Sequence, residues 1–186
     1  MKKLFYVAIT LVTLFVVNSC KDKKAASVIS GNDSTEVAED AADSTIYGVC
    51  GEGTTMHNLQ LISDAGDTLN VFIDDQDPSI VKGGLLAGDR IAMIANKEKD
   101  GEMVAQQIIN LTSLLGKWTS LDKNFEIIEG GEVKNNVQAE SNPWTSWKIL
   151  NGKLLLNKDT FMIDNLGPDS LYLENTKGIF TFKRQE

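Results

Sequence analysis

The sequence predicts an all-β protein of two small barrels in tandem, a five-stranded barrel over residues 46–110 and an eight-stranded barrel over residues 111–186. Two observations indicate this fold class. From Ile46 onward, apolar runs of four to eight residues alternate with turn-forming residues, a pattern typical of short strands. The helical patterns in the same region cover a single turn each.

Five apolar runs predict the strands of the first barrel. They are YGVC (47–50), NLQLIS (58–63), TLNVFI (68–73), RIAMIA (90–95) and VAQQIINL (104–111). Between the third and fourth runs, Asp77 as an N-cap, Pro78 as a first helical residue and Gly83 as a stop predict one turn of helix. A helix at this place, followed by the loop GLLAGDRI (84–91), resembles oligonucleotide-binding (OB) barrels. This OB-like resemblance concerns architecture and implies no ligand.

The second barrel begins with a short helix and continues as eight strands. Leu111, Leu114 and Leu115 fall on one helical face, which predicts a turn of helix leading into a strand at Trp118. The Asn151-Gly152 pair between two apolar runs is the strongest hairpin signal in the chain. After the Trp118 strand come FEIIE (125–129), EVKNNVQ (132–138), SWKIL (146–150), KLLLN (153–157), TFMID (160–164), SLYLE (170–174) and GIFTFKR (178–184).

Gly116-Lys117-Trp118, placed just before this run of strands, resembles the G-x-W motif that starts the first strand of lipocalin-like domains in small exported lipoproteins. The resemblance covers residues 111–186 and implies an up-and-down barrel. The segment is about half the length of a full lipocalin, and an eight-stranded barrel is just wide enough to be filled by its own side chains. We therefore expect a packed interior in place of a deep lipid cavity.

The N-terminus carries an export signal. Lys2 and Lys3 precede the apolar run Leu4–Val17, whose 14 residues are fewer than the roughly 20 that span a bilayer. The junction Val17-Asn18-Ser19-Cys20 resembles the lipobox of bacterial lipoprotein precursors. The resemblance implies that residues 1–19 are removed and that Cys20 carries fatty acyl groups such as palmitate. It places the protein in the cell envelope, anchored to the outer membrane. Both the periplasmic face and the surface-exposed face of that membrane are consistent with the sequence.

Residues 20–45 predict a lipidated, disordered linker, because they hold few large apolar side chains and show no period. Ser34 and Ser44 each stand in an Asp-Ser-Thr triplet. These triplets resemble the acceptor of an O-glycosylation system of some Gram-negative gut bacteria. The alternative is an unmodified, solvated spacer.

Charge restricts the partners of the exported chain. Loss of Lys2 and Lys3 leaves 16 of the 18 basic residues against 26 acidic ones, a net charge of −10. This balance argues against nucleic acid and anionic lipid headgroups as partners, so the predicted anchor supplies the membrane attachment. With Cys20 acylated, Cys50 has no partner for a disulfide.

Cys50 and His57 flank a predicted turn and are the minimum for thiolate chemistry, but no orienting third group is evident. A buried, inert thiol is the simpler interpretation of Cys50. Asp74, Asp75 and Asp77 lack the register of a calcium loop, and cap and turn roles explain them. A single histidine disfavours zinc. We therefore predict no catalytic residue, no metal and no cofactor.

The tryptophans are the candidate binding residues for a small ligand or a partner protein. Trp144 and Trp147 lie three residues apart and would face opposite sides of a regular strand. We expect Trp147 in the core and Trp144 exposed at a loop or rim. We expect Trp118 at the start of the first strand of the second barrel. An end-cap over the barrel mouth is the alternative role of Trp144.

These observations favour a non-enzymatic, membrane-anchored lipoprotein that binds a ligand or a protein partner or supports envelope structure. One alternative is a lipocalin-like carrier of a small apolar ligand. The other is a thiol-dependent enzyme that uses Cys50 and His57.

Overall fold

The computed structural model describes residues 42–137 and 141–185. The predicted signal peptide, Cys20, Ser34 and most of the predicted linker lie outside these residues. In the described part of the chain, no helix has the length and apolar character needed to cross a membrane. The first sheet contains six strands: Ile46–Cys50 (β1), Asn58–Ser63 (β2), Thr68–Phe72 (β3), Val81–Lys82 (β4), Arg90–Lys97 (β5) and Met103–Asn110 (β6).

Five of these strands close into the OB-like barrel that the sequence predicted. β1 pairs antiparallel with both β2 and β5, and β2 continues to β3. The ring closes because β3 lies parallel to β6, with Val71 opposite Met103, and β6 pairs with β5. Alternate side chains fill the interior, as the period of two requires. The fully buried ones include Leu59, Leu61, Val71, Ile91 and Ile108.

The predicted helical turn at Asp77 and Pro78 is wrong. Residues 74–80 form turns, and the Asp77 side chain accepts from the backbone N–H of Ser79 at 2.9 Å without starting a helix. The Ile80 carbonyl instead accepts from the backbone N–H of Ile108 in β6 at 2.7 Å, and β4 then pairs parallel with β6. Pairing with a distant strand thus satisfies the backbone groups that a helix would have used.

The second sheet begins after helix α1 (Leu111–Leu114), whose N-cap Asn110 accepts from the Ser113 backbone N–H at 2.9 Å. This short helix before the Trp118 strand confirms the prediction. Eight strands follow: Gly116–Thr119 (β7), Asn124–Ile128 (β8), Glu132–Asn135 (β9), Trp147–Leu150 (β10), Lys153–Leu156 (β11), Asp159–Leu166 (β12), Ser170–Asn175 (β13) and Gly178–Gln185 (β14).

These eight strands form a nearly closed antiparallel up-and-down barrel, which confirms the predicted eight-stranded barrel. Their order is β10-β11-β12-β13-β14-β7-β8-β9. The two end strands meet through one bridge between Glu132 and Ser146. At the β10–β11 turn, Asn151 and Gly152 have φ values of 49° and 73°, as the predicted tight hairpin requires.

Aromatic side chains fill part of the interior of the second barrel. Phe125 packs edge-on against Trp144 and Phe182, with ring centroids 5.0 and 5.1 Å apart. Phe161 packs against Trp144 at 5.7 Å and against Phe180 at 5.8 Å. Edge-to-face rings at these distances add to the stabilisation from burial itself. The interior is therefore occupied by the protein's own side chains, as its size suggested.

The two barrels contact each other directly. Tyr47, on the outer face of β1, donates its hydroxyl hydrogen to the Ile149 carbonyl in β10 at 2.8 Å. Partial burial and the nearby Asp43 carboxylate raise the pKa of this hydroxyl. Ala92 and Ile109 of the first barrel belong to the apolar cluster of the second. Hydrogen bonding and apolar packing therefore both join the barrels.

Candidate functional site

Trp118 lies on β7 of the second barrel and is 0% exposed. Its indole N–H donates to the Leu114 carbonyl at 2.9 Å, which ties α1 to the barrel. The Arg184 guanidinium lies 4.2 Å from the centroid of the indole and donates to the carbonyls of Leu115 and Ser113. Partial burial lowers the pKa of Arg184, yet a guanidinium remains charged. Trp118 is therefore enclosed by the protein's own residues.

Trp144 lies in a loop as expected, but it is the more buried of the two tryptophans, so its expected exposure is wrong. Trp144 is 6% exposed and packs among the interior aromatic rings, whereas Trp147 is half-buried and donates its indole N–H to the Ile128 carbonyl at 2.7 Å. Trp144 lies in the loop before β10, and this loop places the indole among the aromatic rings of the barrel interior. Trp144 therefore has the alternative role, that of an end-cap over the barrel mouth.

Asn157, which sequence reasoning missed, holds that loop over the barrel. Its side-chain carbonyl accepts from the backbone N–H groups of Thr145 at 2.8 Å and Ser146 at 3.1 Å, and its amide donates to the Pro143 carbonyl at 3.0 Å. Asn157 has a φ of 56°, which Asn tolerates better than most residues. Its position between two apolar strands was the available sequence signal, because Asn there favours a turn.

Cys50 and His57 do not form a pair. Cys50 is 2% exposed within the core of the first barrel, and its sulfur lies 3.3 Å from the Thr54 hydroxyl. The His57 ring is exposed, and its Nδ1 lies 3.5 Å from a carboxylate oxygen of Asp75. The thiol and the imidazole therefore have separate surroundings.

The aspartates of residues 74–77 stabilise turns. The Asp74 carboxylate accepts from the Gln76 backbone N–H at 3.0 Å, and Asp77 accepts from both the backbone N–H and the hydroxyl of Ser79. These hydrogen bonds lower the pKa of Asp77. Within residues 42–137 and 141–185, no three His, Cys, Asp or Glu side chains are grouped so as to hold a metal ion.

Ser44 is exposed but is not without contacts. Its backbone N–H and its hydroxyl both donate to the side-chain carbonyl of Asn151, at 2.9 and 2.8 Å. The end of the predicted linker therefore contacts the β10–β11 turn. The other candidate acceptor, Ser34, is outside the described residues.

A lateral cleft opens in the wall of the second barrel beside β14. The last pair that joins β7 to β14 is Thr119 with Lys183, so residues 178–182 of β14 pair only with β13. Residues 120–123 form a turn and do not continue the pairing with β14. The Ser120 backbone N–H donates to the Lys123 carbonyl at 2.7 Å within this turn. The resulting cleft has a volume of about 910 Å³. It exists because β7 ends earlier than its neighbour.

The lateral cleft is mainly apolar with balanced charges at its rim. Its apolar side chains are Leu121, Tyr172, Ile179, Phe180 and Phe182. Leu121 is 102% exposed and Ile179 is 61% exposed, so both present apolar surface to solvent. Lys123 and Lys183 face the cleft together with Asp122 and Asp169. Large exposed apolar side chains beside a concave surface are typical of binding sites.

A second pocket, the mouth pocket, lies at the adjoining end of the barrel. It has a volume of about 290 Å³ and is covered by Trp144. The Lys123 ammonium lies 4.1 Å from the centroid of the Trp144 ring, within the range of a cation–π contact. Lys123 and Phe180 line both the mouth pocket and the lateral cleft, so the two spaces meet at these residues.

Sequence reasoning missed the lateral cleft, although part of its signal was present. In SLYLE, Leu171 and Leu173 alternate with Tyr172, and the alternation points Tyr172 outward. An aromatic residue on the outer face of a strand is a candidate contact. The opposing side of the cleft, near Leu121, could not be identified because it comes from a turn 51 residues earlier in the chain.

The fold and these spaces define an all-β, two-barrel protein with a lateral cleft and an adjoining mouth pocket. Comparison of the chain with protein-family models, with curated proteins and with solved structures found no match.

Proposed function

We propose that this chain is a non-enzymatic lipoprotein, anchored to the outer membrane through Cys20, whose second barrel binds a small apolar ligand in the lateral cleft. The observation that carries the proposal is the concave, exposed apolar surface beside β14. Its volume of about 910 Å³ falls within the roughly 300–1,000 Å³ of small-molecule sites. A protein tethered by acyl chains would hold this cleft close to the membrane surface.

The cleft supports a different mode of binding from a carrier with its ligand inside the barrel. Phe125, Trp144, Phe161 and Phe182 already occupy the interior with close ring contacts. A ligand in the interior would have to displace these rings from dense packing. The cleft is open without any rearrangement, so we assign the ligand to the barrel wall.

We do not propose thiol-dependent catalysis. A nucleophilic thiol needs access to substrate and a base within hydrogen-bonding reach. Cys50 lies in the core of the first barrel, and the His57 ring faces Asp75. Neither residue lines the lateral cleft or the mouth pocket.

The test is a fluorescence titration with N-phenyl-1-naphthylamine, a neutral apolar probe. We would use the mature chain from Cys20 to Glu186 carrying Cys20→Ala, so that no acyl chain competes for the cleft. Ile179→Ser should weaken binding about tenfold, because it removes apolar surface from the cleft. Circular dichroism would check that each variant remains folded.

Met162→Ser is the matched control. Met162 is 57% exposed against 61% for Ile179, and both lie on outer strand faces in line with Glu174. Met162 does not line the cleft. Equal loss of binding in both variants, or no binding by the parent, would contradict the proposed site.

A further inference from the structure

We infer that the ligand of the lateral cleft is an anionic amphiphile, whose apolar body lies in the cleft and whose acidic head lies in the mouth pocket near Lys123 and Lys177. This inference rests on the proposed function, since it names the ligand class of the same site. It adds the mouth pocket as the part that determines specificity.

The first reason is that the two spaces are continuous. Phe180 and Lys123 form the boundary on which the lateral cleft and the mouth pocket meet. Phe180 is half-buried and packs edge-on against Phe161, so it offers a fixed apolar wall. A single molecule that passes this boundary contacts apolar side chains on one side and polar side chains on the other.

The second reason is the different polarity of the two spaces. The lateral cleft has two lysines and two aspartates, so its charges balance. Among the described residues that line the mouth pocket, the charged ones are Lys123, Lys177 and Asp159, and the polar ones are Ser141, Asn142 and Asn175. These described lining residues sum to a net positive charge on a chain whose formal net charge is −8. Oppositely charged groups favour an anion at this position.

The third reason is the state of Lys177. Its side chain is exposed, and within the described residues its ammonium forms no ion pair. The turn that carries it is ordered, because the Lys177 backbone N–H donates to the Asn175 side-chain carbonyl at 2.8 Å. A carboxylate in the pocket would gain a charge-assisted hydrogen bond from this ammonium.

The size of the mouth pocket limits the head group. At about 290 Å³ it is about a third of the volume of the lateral cleft. This difference favours a compact acidic head, such as a single carboxylate, attached to a larger apolar body. The pair of lysines then distinguishes an acid from an alcohol of the same chain length.

The experiment compares dodecanoate with dodecanol as competitors for the bound naphthylamine probe. Both have the same apolar chain, and at about pH 8 the acid is ionised. On the Cys20→Ala mature chain, dodecanoate should compete about tenfold better than dodecanol. Lys177→Gln should reduce that preference several-fold.

Lys153→Gln is the matched control, because it removes the same charge from an exposed lysine of β11 that lines neither space. It should leave the preference for the acid intact. Equal competition by acid and alcohol, or an unchanged preference in Lys177→Gln, would overturn the inference while the probe still reports the cleft. Failure of the probe to bind, or its indifference to Ile179→Ser, would instead overturn the proposed function.

Discussion

Asp43 accepts a hydrogen bond from Asn151 although the two residues lie 108 positions apart in the chain. The Asp43 carboxylate accepts from the Asn151 backbone N–H at 3.1 Å, and the Asn151 side-chain carbonyl accepts from the Ser44 backbone N–H at 2.9 Å. These bonds attach the segment before β1 to the β10–β11 turn of the second barrel. The chain that enters the first barrel is therefore held by the second.

Replacing Asp43 with Asn should lower the free energy of unfolding near neutral pH but not in acid. Partial burial raises the pKa of the Asp43 carboxyl, but hydrogen bonds from Thr45 and Asn151 outweigh it, and the net shift is downward. The resulting stabilisation is present above the ordinary Asp pKa and is lost as the pH falls through the lowered value.

Urea unfolding of the parent and Asp43→Asn at two pH values would measure this effect. The difference should be below about 1 kcal/mol at pH 7, because the site is exposed. It should shrink as the pH falls through the lowered pKa of Asp43, because both states then bind the proton. A difference that is the same at both pH values would contradict the assignment to the charged carboxylate.

Gly152→Ala should destabilise the protein by more than a positive φ alone explains. A Cβ on Gly152 would lie 3.1 Å from Ile94 Cγ1 and would displace the flexible end of the Gln107 side chain, both in the first barrel. We expect a loss of about 2–3 kcal/mol in the free energy of unfolding, from strain and overpacking together. Thermal and urea unfolding would both report it.

Gly66→Ala is the control for that substitution. Gly66 has a φ of 91°, but a Cβ there would meet nothing within 4 Å. It should cost only the backbone strain, about 1–2 kcal/mol. Equal losses for the two variants would mean that the packing of the β10–β11 turn on the first barrel is not close.

Asn157→Gly should loosen the loop that carries Trp144. The substitution keeps the positive φ of this position and removes the hydrogen bonds to Pro143, Thr145 and Ser146. We expect a loss of about 1–3 kcal/mol in the free energy of unfolding and greater quenching of tryptophan by acrylamide. Lys158→Ala, at the exposed neighbouring position, should change neither measurement. Unchanged quenching in Asn157→Gly would count against this role.

Arg184→Lys should lower stability although it preserves the charge. The guanidinium stacks on Trp118 and donates to the carbonyls of Leu115 and Ser113, a fork that an ammonium cannot reproduce. We expect a loss of about 2–3 kcal/mol in the free energy of unfolding. Lys183→Ala, one position earlier on the exposed face, should cost no more than about 0.5 kcal/mol. An unchanged free energy of unfolding in Arg184→Lys would show that the contact between the guanidinium and Trp118 contributes little.

Cys50 should react with a thiol reagent only when the protein unfolds. Its side chain is buried in the first barrel, and labelling needs a solvent-accessible thiolate. On the Cys20→Ala chain, the labelling rate should rise with urea in parallel with unfolding. His57→Ala should leave the rate in the native state unchanged. Fast labelling of the folded protein, slowed by that substitution, would restore the thiol-enzyme alternative.

The sequence predicted the strands well because alternation and turn residues are local signals. Asn151-Gly152 and the α1 leucines behaved as their local chemistry indicated. The helical turn at Asp77 failed because β4 pairs with β6, whose paired residues lie 27 positions later. Trp144 was expected in a loop and lies in one, but no local pattern showed that this loop places the indole in the barrel interior.

The lateral cleft could not be predicted from the sequence. It arises where Thr119 ends its pairing with Lys183, two residues that are 64 positions apart. No local pattern records that β7 ends while β14 continues. Patterning therefore indicates which residues face outward but not which outward faces meet to form a cavity.

The central claim is that the lateral cleft beside β14 binds an apolar ligand. The most direct measurement is NMR chemical-shift mapping of the Cys20→Ala mature chain during titration with N-phenyl-1-naphthylamine. The account predicts that the largest changes cluster at residues 119–123, 170–172 and 179–183, with little change in the first barrel. Changes confined to residues 46–110, or no saturable change at any residue, would contradict it.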